Sequence, residues 1–157
     1  MRDKRFVAAH RGGPLLKTQH QQLMQWSVTC VEHVLPLLKA EPDQRIISAL
    51  LIAHEWIKEN IKTGAAMKAS LSAHAAARES TDAVTVAIAR AAGQCVATAH
   101  MADHSLGGAV YSLIAVKQAG GSVDKERDWQ NEQLPPDICE LVLSTRKTKE
   151  GFKELTA

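Results

Sequence analysis

A chain of 157 residues with 45% apolar content and a formal charge of +2 fits one globular domain built on one hydrophobic core. No block of five or six like charges occurs, which gives no ground for a nucleic-acid partner or an anionic membrane surface. No stretch approaches the ~18 consecutive apolar residues of a spanning helix, and the start MRDKRFVAAHRGG lacks the apolar run of a secretory signal, so no membrane partner and a cytoplasmic location are expected.

Aromatic residues make up only 4%, leaving Leu, Ile, Val and Ala to fill the interior. Alanine is dense between Ala65 and Ala109, and it has the best intrinsic helix propensity. Cys30, Cys95 and Cys139 are scattered and never form a C-x-x-C pair, so they read as small buried apolar residues rather than disulfides or zinc ligands. The expected fold is all-α: one domain over residues 1–157, a compact bundle of about seven helices.

Residues 1–17 read as an N-terminal loop or arm, closed by Arg11-Gly12-Gly13-Pro14, and carry Arg2, Lys4, Arg5, Arg11 and Lys17 against Asp3. Thr18 and Gln21 have capping-box spacing, and Leu23, Trp26, Cys30, Val34 and Leu37 recur at helical period, predicting a first helix over 19–38 with a kink at Pro36. Pro42-Asp43 opens a second helix to about Ile61. Thr63 caps a third over 64–79, and Ser80 or Thr81 caps a fourth from Asp82 towards Met101.

A break near Asp103 starts a fifth helix at Ser105, which the glycines at 120 and 121 end after Ala119. A sixth spans 124–134 with Trp129 as its apolar anchor. A seventh spans 137–146 and turns Ile138, Leu141 and Val142 inward, leaving 147–157 as a C-terminal tail.

Small residues along the third, fourth and fifth helices let their backbones approach closely, which makes any large polar side chain between them costly unless paired. Met67, Leu71, His74 and Arg78 fall on one stripe of the third helix, with Glu79 beside them. His100 and His104 stand four apart with Asp103 between them; on a continuous helix both imidazoles would face one way. Such a pair with His54, Glu55, His74 or Glu79 has the chemistry of a zinc or iron site, although no H-E-x-x-H occurs. The same groups also suit a polar pocket, with Arg78 holding a carboxylate or phosphate and a histidine moving protons, or a buried network that fixes helix register. No G-x-S-x-G elbow, phosphate-binding loop or G-x-G-x-x-G is present, so nothing points to a nucleophilic serine or to a nucleotide or other cofactor.

The blocks RFVAAHRGG, GAAMKASLSAHAAARES, ATAHMADHSLGGAVYSLIAVK and DKERDWQNEQLP resemble those of a family of bacterial immunity proteins, over about residues 5–145. The resemblance implies a small, helical, cytoplasmic protein that binds and neutralises a cognate toxin. It marks His10, Arg11, His74, Arg78, Glu79, His100, Asp103 and His104 as the positions to examine for binding and assigns none of them a role. The +2 charge departs from the acidic surfaces that many immunity proteins turn towards basic nuclease toxins. The expectation is therefore a toxin-binding module with Trp56 or Trp129 as anchors and no cofactor. The alternatives are a small helical enzyme or metal-binding protein using the His/Arg/Asp/Glu groups, and a homo-oligomer.

Overall fold

The computed structural model describes residues 2–148, and among them the regular structure is helical: α1 (Lys17–Val34), α2 (Gln44–Ile57), α3 (Thr63–Glu79), α4 (Ala83–Ala97), α5 (His104–Gln118), α6 (Val123–Glu132) and α7 (Pro136–Thr148). Short 3-10 turns stand at Lys4–Phe6, Ala9–Arg11 and Leu35–Leu37. The last helix thus runs through Lys147 and Thr148, and the rest of the C-terminal tail expected from 147 lies outside the described residues.

Local chemistry sets the boundaries. α1 begins two residues before the sequence signal because Gln19 Oε1 accepts the Leu16 N–H at 2.9 Å, which moves the cap upstream of Thr18. Pro36 carries no N–H, so α1 passes into a 3-10 turn there. Asp43 caps α2 by accepting from the Arg45 N–H, and Asp82 caps α4 by accepting from the Thr85 N–H, each at 2.9 Å.

α2 stops at Ile57, four residues short of expectation. Glu59 takes a left-handed φ of 63°, the Glu59 N–H reaches back to Trp56 O at 3.0 Å, and the Asn60 N–H reaches Glu55 O at 2.9 Å. A left-handed non-glycine residue costs about 1 kcal/mol, a cost that nothing in a periodicity pattern reveals. Thr63 is the first residue of α3 rather than its cap.

α4 is the centre of the bundle, packed between α3 and α5, with α2 and α1 closing over it. One apolar cluster joins Met24, Val28 and Val31 of α1, Ile46 and Leu50 of α2, and Ile88 and Val96 of α4. A second joins Phe6, Leu15, Leu23, Trp26, Leu106, Ile138 and Val142, and so ties the N-terminal segment and α7 to α1 and α5. The N-terminal segment is further held by Arg5 donating to Ser144 Oγ at 2.7 Å and by the Leu15 N–H donating to Val7 O at 3.0 Å.

α6 is anchored by Gln130 rather than by Trp129. Gln130 is fully buried: its Nε2 donates to Ala109 O at 3.1 Å, its Oε1 accepts from Arg146, and its carbonyl accepts from Trp26 Nε1 at 2.8 Å. Trp129 stays half-buried, its ring stacked on His33 at 3.5 Å.

α1 and α5 meet at Gly108. A methyl group there would stand 2.1 Å from Ser27 Oγ and 3.4 Å from Cys95 Cα of α4, so three helices converge on a site with no room for a side chain. Gly108→Ala is expected to lower the urea-unfolding free energy by about 1–3 kcal/mol. Ser27→Ala removes the hydroxyl that clashes, so the same glycine substitution should cost less in that background; equal costs in both would show that the Ser27 side chain is not the obstacle.

Candidate functional site

The polar residues singled out in the sequence occupy several places rather than one pocket. His100 lies in the turn after α4 and His104 opens α5, so the two imidazoles do not share one helix. Their rings are still neighbours, 5.5 Å apart and tilted by 52°. The His104 Nδ1–H donates to Gln94 Oε1 at 2.7 Å, which fixes that ring against α4. Asp103 precedes α5 without capping it, and its Oδ1 is buried without a hydrogen-bond partner among the described residues.

His74 faces α4. Arg90 Nη1 donates to its Nδ1 at 2.8 Å, and because a guanidinium only donates, the imidazole is neutral with its proton on Nε2. The ring fits because position 93 is glycine: a Cβ there would lie 2.7 Å from His74 Nε2. Burial, then Arg90 and Arg78, holds the His74 pKa below its ordinary value.

Glu79 projects from the other flank of α3, where it accepts from Arg45 Nη2 at 2.6 Å; Asp43 shares the same guanidinium at 2.9 Å. The Arg45 hydrogen bonds hold Asp43 down at about 2 and Glu79 below the usual carboxylate range. Arg78 is exposed, and so are Met67 and Leu71 on its stripe, so the α3 face expected to be apolar and inward is open to solvent. The helix buries the adjacent Ala66, Ser70, Ala73 and Ala77 instead, since small side chains allow α3 its close contact with α4.

His10 and Arg11 lie on the N-terminal segment and join His100 around a cavity of about 100 Å³, together with Arg2, His20 and Thr63. A wider cleft of about 570 Å³ opens beside it between that segment, the start of α1 and the α2–α3 connection, walled by Leu15, His20, Trp56 and Ile61. The His20 Nε2–H donates to Thr98 O at 2.5 Å, and the ring sits 4.9 Å from that of Trp56. Burial lowers the His20 pKa against the opposing pull of the Thr98 carbonyl, and burial followed by Arg11 and Arg2 lowers that of His100, with Asp103 opposing.

The sequence reading passed over His20, Arg90 and Gln94. His20 does share the inward period of Leu23, Met24 and Ser27, and Arg90 is the one charge inside the apolar run AVTVAIARAAGQCVA, so both had a signal. Among the described residues no three His, Cys, Asp or Glu side chains converge as a metal would require, which leaves the metal-binding alternative without a ligand set there. The Cys95 thiol is pushed up to about 12 and that of Cys30 is also raised, both by burial, so neither is an activated nucleophile.

The fold and these polar groups define a small α-helical bundle with a basic cleft at one end, and among the described residues no helix is long and apolar enough to cross a membrane. Residues 13–137 match the sequence model of a family described as "Imm-5 like putative immunity protein", and the chain belongs to that family. No curated protein and no solved structure matches it.

Three buried or half-buried imidazoles, His20, His74 and His100, have folded pKa values below the ordinary 6.5, so the folded state binds fewer protons than the unfolded state below that pH. Their contribution to stability is complete above about pH 6.5 and is lost as pH falls through the lowered values, ahead of the carboxylates Asp43, Glu79 and Asp82. Thermal melts should show the midpoint falling between about pH 7 and pH 5, with His20→Gln, which keeps an amide donor for Thr98 O, flattening the fall. An unchanged slope in that variant would remove His20 from the account.

Proposed function

We propose that this chain is an immunity protein that binds a cognate bacterial toxin in the cytoplasm and neutralises it by covering its working surface. The observation that carries the reading is the family match over residues 13–137.

The outer stripe of α3 supports it as the face presented to the toxin. Leu71 is 70% exposed and Met67 46%, and Arg78 extends the same stripe. Methionine and arginine are enriched at protein interfaces, and a large apolar side chain this exposed on a rigid helix has little structural reason to be there. The stripe is pre-ordered, because Ala66, Ala73 and Ala77 lock α3 into the core on the adjacent face and Arg90 holds His74 at its edge. Binding then freezes few side chains beyond Met67, Leu71 and Arg78, which keeps the entropic cost of association low.

The test is co-purification with the toxin encoded beside this gene, combined with protection of cells that express that toxin. Leu71→Asp and Arg78→Glu should each weaken the complex by at least about tenfold while leaving the melting temperature of the free chain unchanged. A neighbouring gene that encodes no toxin, with no protection against any candidate, would overturn the function; a complex indifferent to both substitutions would overturn the face. The mass of the free chain in solution separates this use of the stripe from its burial between identical copies.

A further inference from the structure

The cleft beside the N-terminal segment has the build of a small-molecule site. At about 570 Å³ it lies within the range of pockets that enclose a small organic ligand, and its wall combines an apolar part, Leu15, Trp56 and Ile61, with a polar rim. The cavity of about 100 Å³ shares Ala8, His10, His20 and Thr63 with the cleft, so the two spaces adjoin along those residues. That inner space is large enough for a carboxylate or phosphate group.

The charges around the two spaces are one-sided. Arg2, His10, Arg11 and His100 surround the inner cavity, and among the described residues neither Arg2 nor Arg11 is in an ion pair. The carboxylate lining the cleft is Glu59, which is bound by Lys17, and Lys62 adds a further cation on the rim. Asp103 is the acid nearest His100 in effect, and it does not line either space. His100 Nδ1 is buried without a hydrogen-bond partner among the described residues.

Two features show a built wall rather than a surface dent. His20 is locked by Thr98 O and braces the Trp56 ring, which holds the flat apolar face in place. Glu59, on the cleft, is the non-glycine residue with positive φ among the described residues, and backbone strain of this kind concentrates at ligand clamps.

We propose that this cleft binds a small organic anion, a carboxylate or phosphate joined directly or through a sugar to an aromatic or heteroaromatic ring, with the anionic group between Arg2, Arg11 and His100 and the ring against Trp56. The arginines supply paired N–H donors to the anion, and Trp56 supplies the stacking surface. The site is independent of the α3 stripe and does not rest on the toxin-binding reading.

Titration of isotope-labelled full-length protein with adenosine 5′-monophosphate and with 2-naphthoate, following the three tryptophan indole N–H signals, tests it. At least one of the two probes should shift the Trp56 signal saturably while Trp26 and Trp129 stay still. Adenosine should bind at least about tenfold more weakly than its monophosphate where the latter binds, and inorganic phosphate should compete. Arg2 and Arg11 are exposed, so the R2A/R11A double variant should keep its melting temperature yet lose at least about tenfold in affinity, whereas Leu71→Asp should leave the titration unchanged. No saturable shift with either probe up to about 10 mM, or binding that survives the loss of both arginines, would overturn the proposal.

Discussion

The close approach of α4 to its neighbours governs the rest of the structure. Ala87, Ala91, Ala92, Gly93, Cys95 and Ala97 bury almost all of that helix with side chains that add little bulk, so α3 and α5 pack nearly backbone to backbone against it. A polar side chain at the edge of such an interface loses part of its water and gains from a partner in the adjacent helix. Arg90 with His74 and Gln94 with His104 are the pairs that result, and each links α4 to one neighbour. The Arg90–His74 pair fixes the rotation of α3, and with it the direction in which Met67, Leu71 and Arg78 point.

A second constraint acts where α4 does not reach. Gln130 receives from or donates to three elements at once: the Trp26 indole of α1, the Ala109 carbonyl of α5 and the Arg146 guanidinium of α7. Burial pushes the Arg146 pKa down to about 10, which still leaves a cation at neutral pH, and the Trp26 ring 5.2 Å away gives it a favourable face. Because Arg5 bonds to Ser144 and Thr145 of α7, this network also reaches the N-terminal segment. The segment that carries His10 and Arg11 to His100 is thus held through α7 as well as through Phe6 and Leu15.

The helices were legible because their signals are local. Asp43 caps α2 where the sequence places it, the cap of α4 falls on Asp82 rather than on Ser80 or Thr81, and the alanine-dense stretch forms the central layers. The ends that moved did so for reasons without a period: a left-handed Glu59, a Gln19 side chain reaching back to Leu16, and a proline inside the first turn of α7. The site was less legible than the fold. His74, Arg78, Glu79, His100, Asp103 and His104 are close in sequence and chemically alike, which suggests one pocket, but a helix turns by roughly 100° per residue, so five positions carry Glu79 to the opposite flank of α3 from His74. Their partners, Arg45, Arg90 and Gln94, come from other helices, and nothing in the spacing of a single chain specifies them. Trp129 drew attention because it is aromatic, while Gln130 carries the packing because its amide satisfies a buried carbonyl and a buried cation together.

The family match and the cleft divide the molecule in an informative way. The matched segment, 13–137, supplies the whole helical body as far as the start of α7, the α3 stripe, the cleft wall with Leu15, His20 and Trp56, and His100 of the inner cavity. Arg2, His10 and Arg11, which give the inner cavity its charge, precede that segment. The helical bundle carries the scaffold and the apolar wall, whereas Arg2, His10 and Arg11 come from a short segment held through Phe6, Leu15 and Arg5. Residues that cover a pocket from outside the scaffold can change without disturbing the core, because their removal uncovers no buried polar group of α4. A ligand at the cleft and a partner at α3 would thus meet separate side chains on one frame.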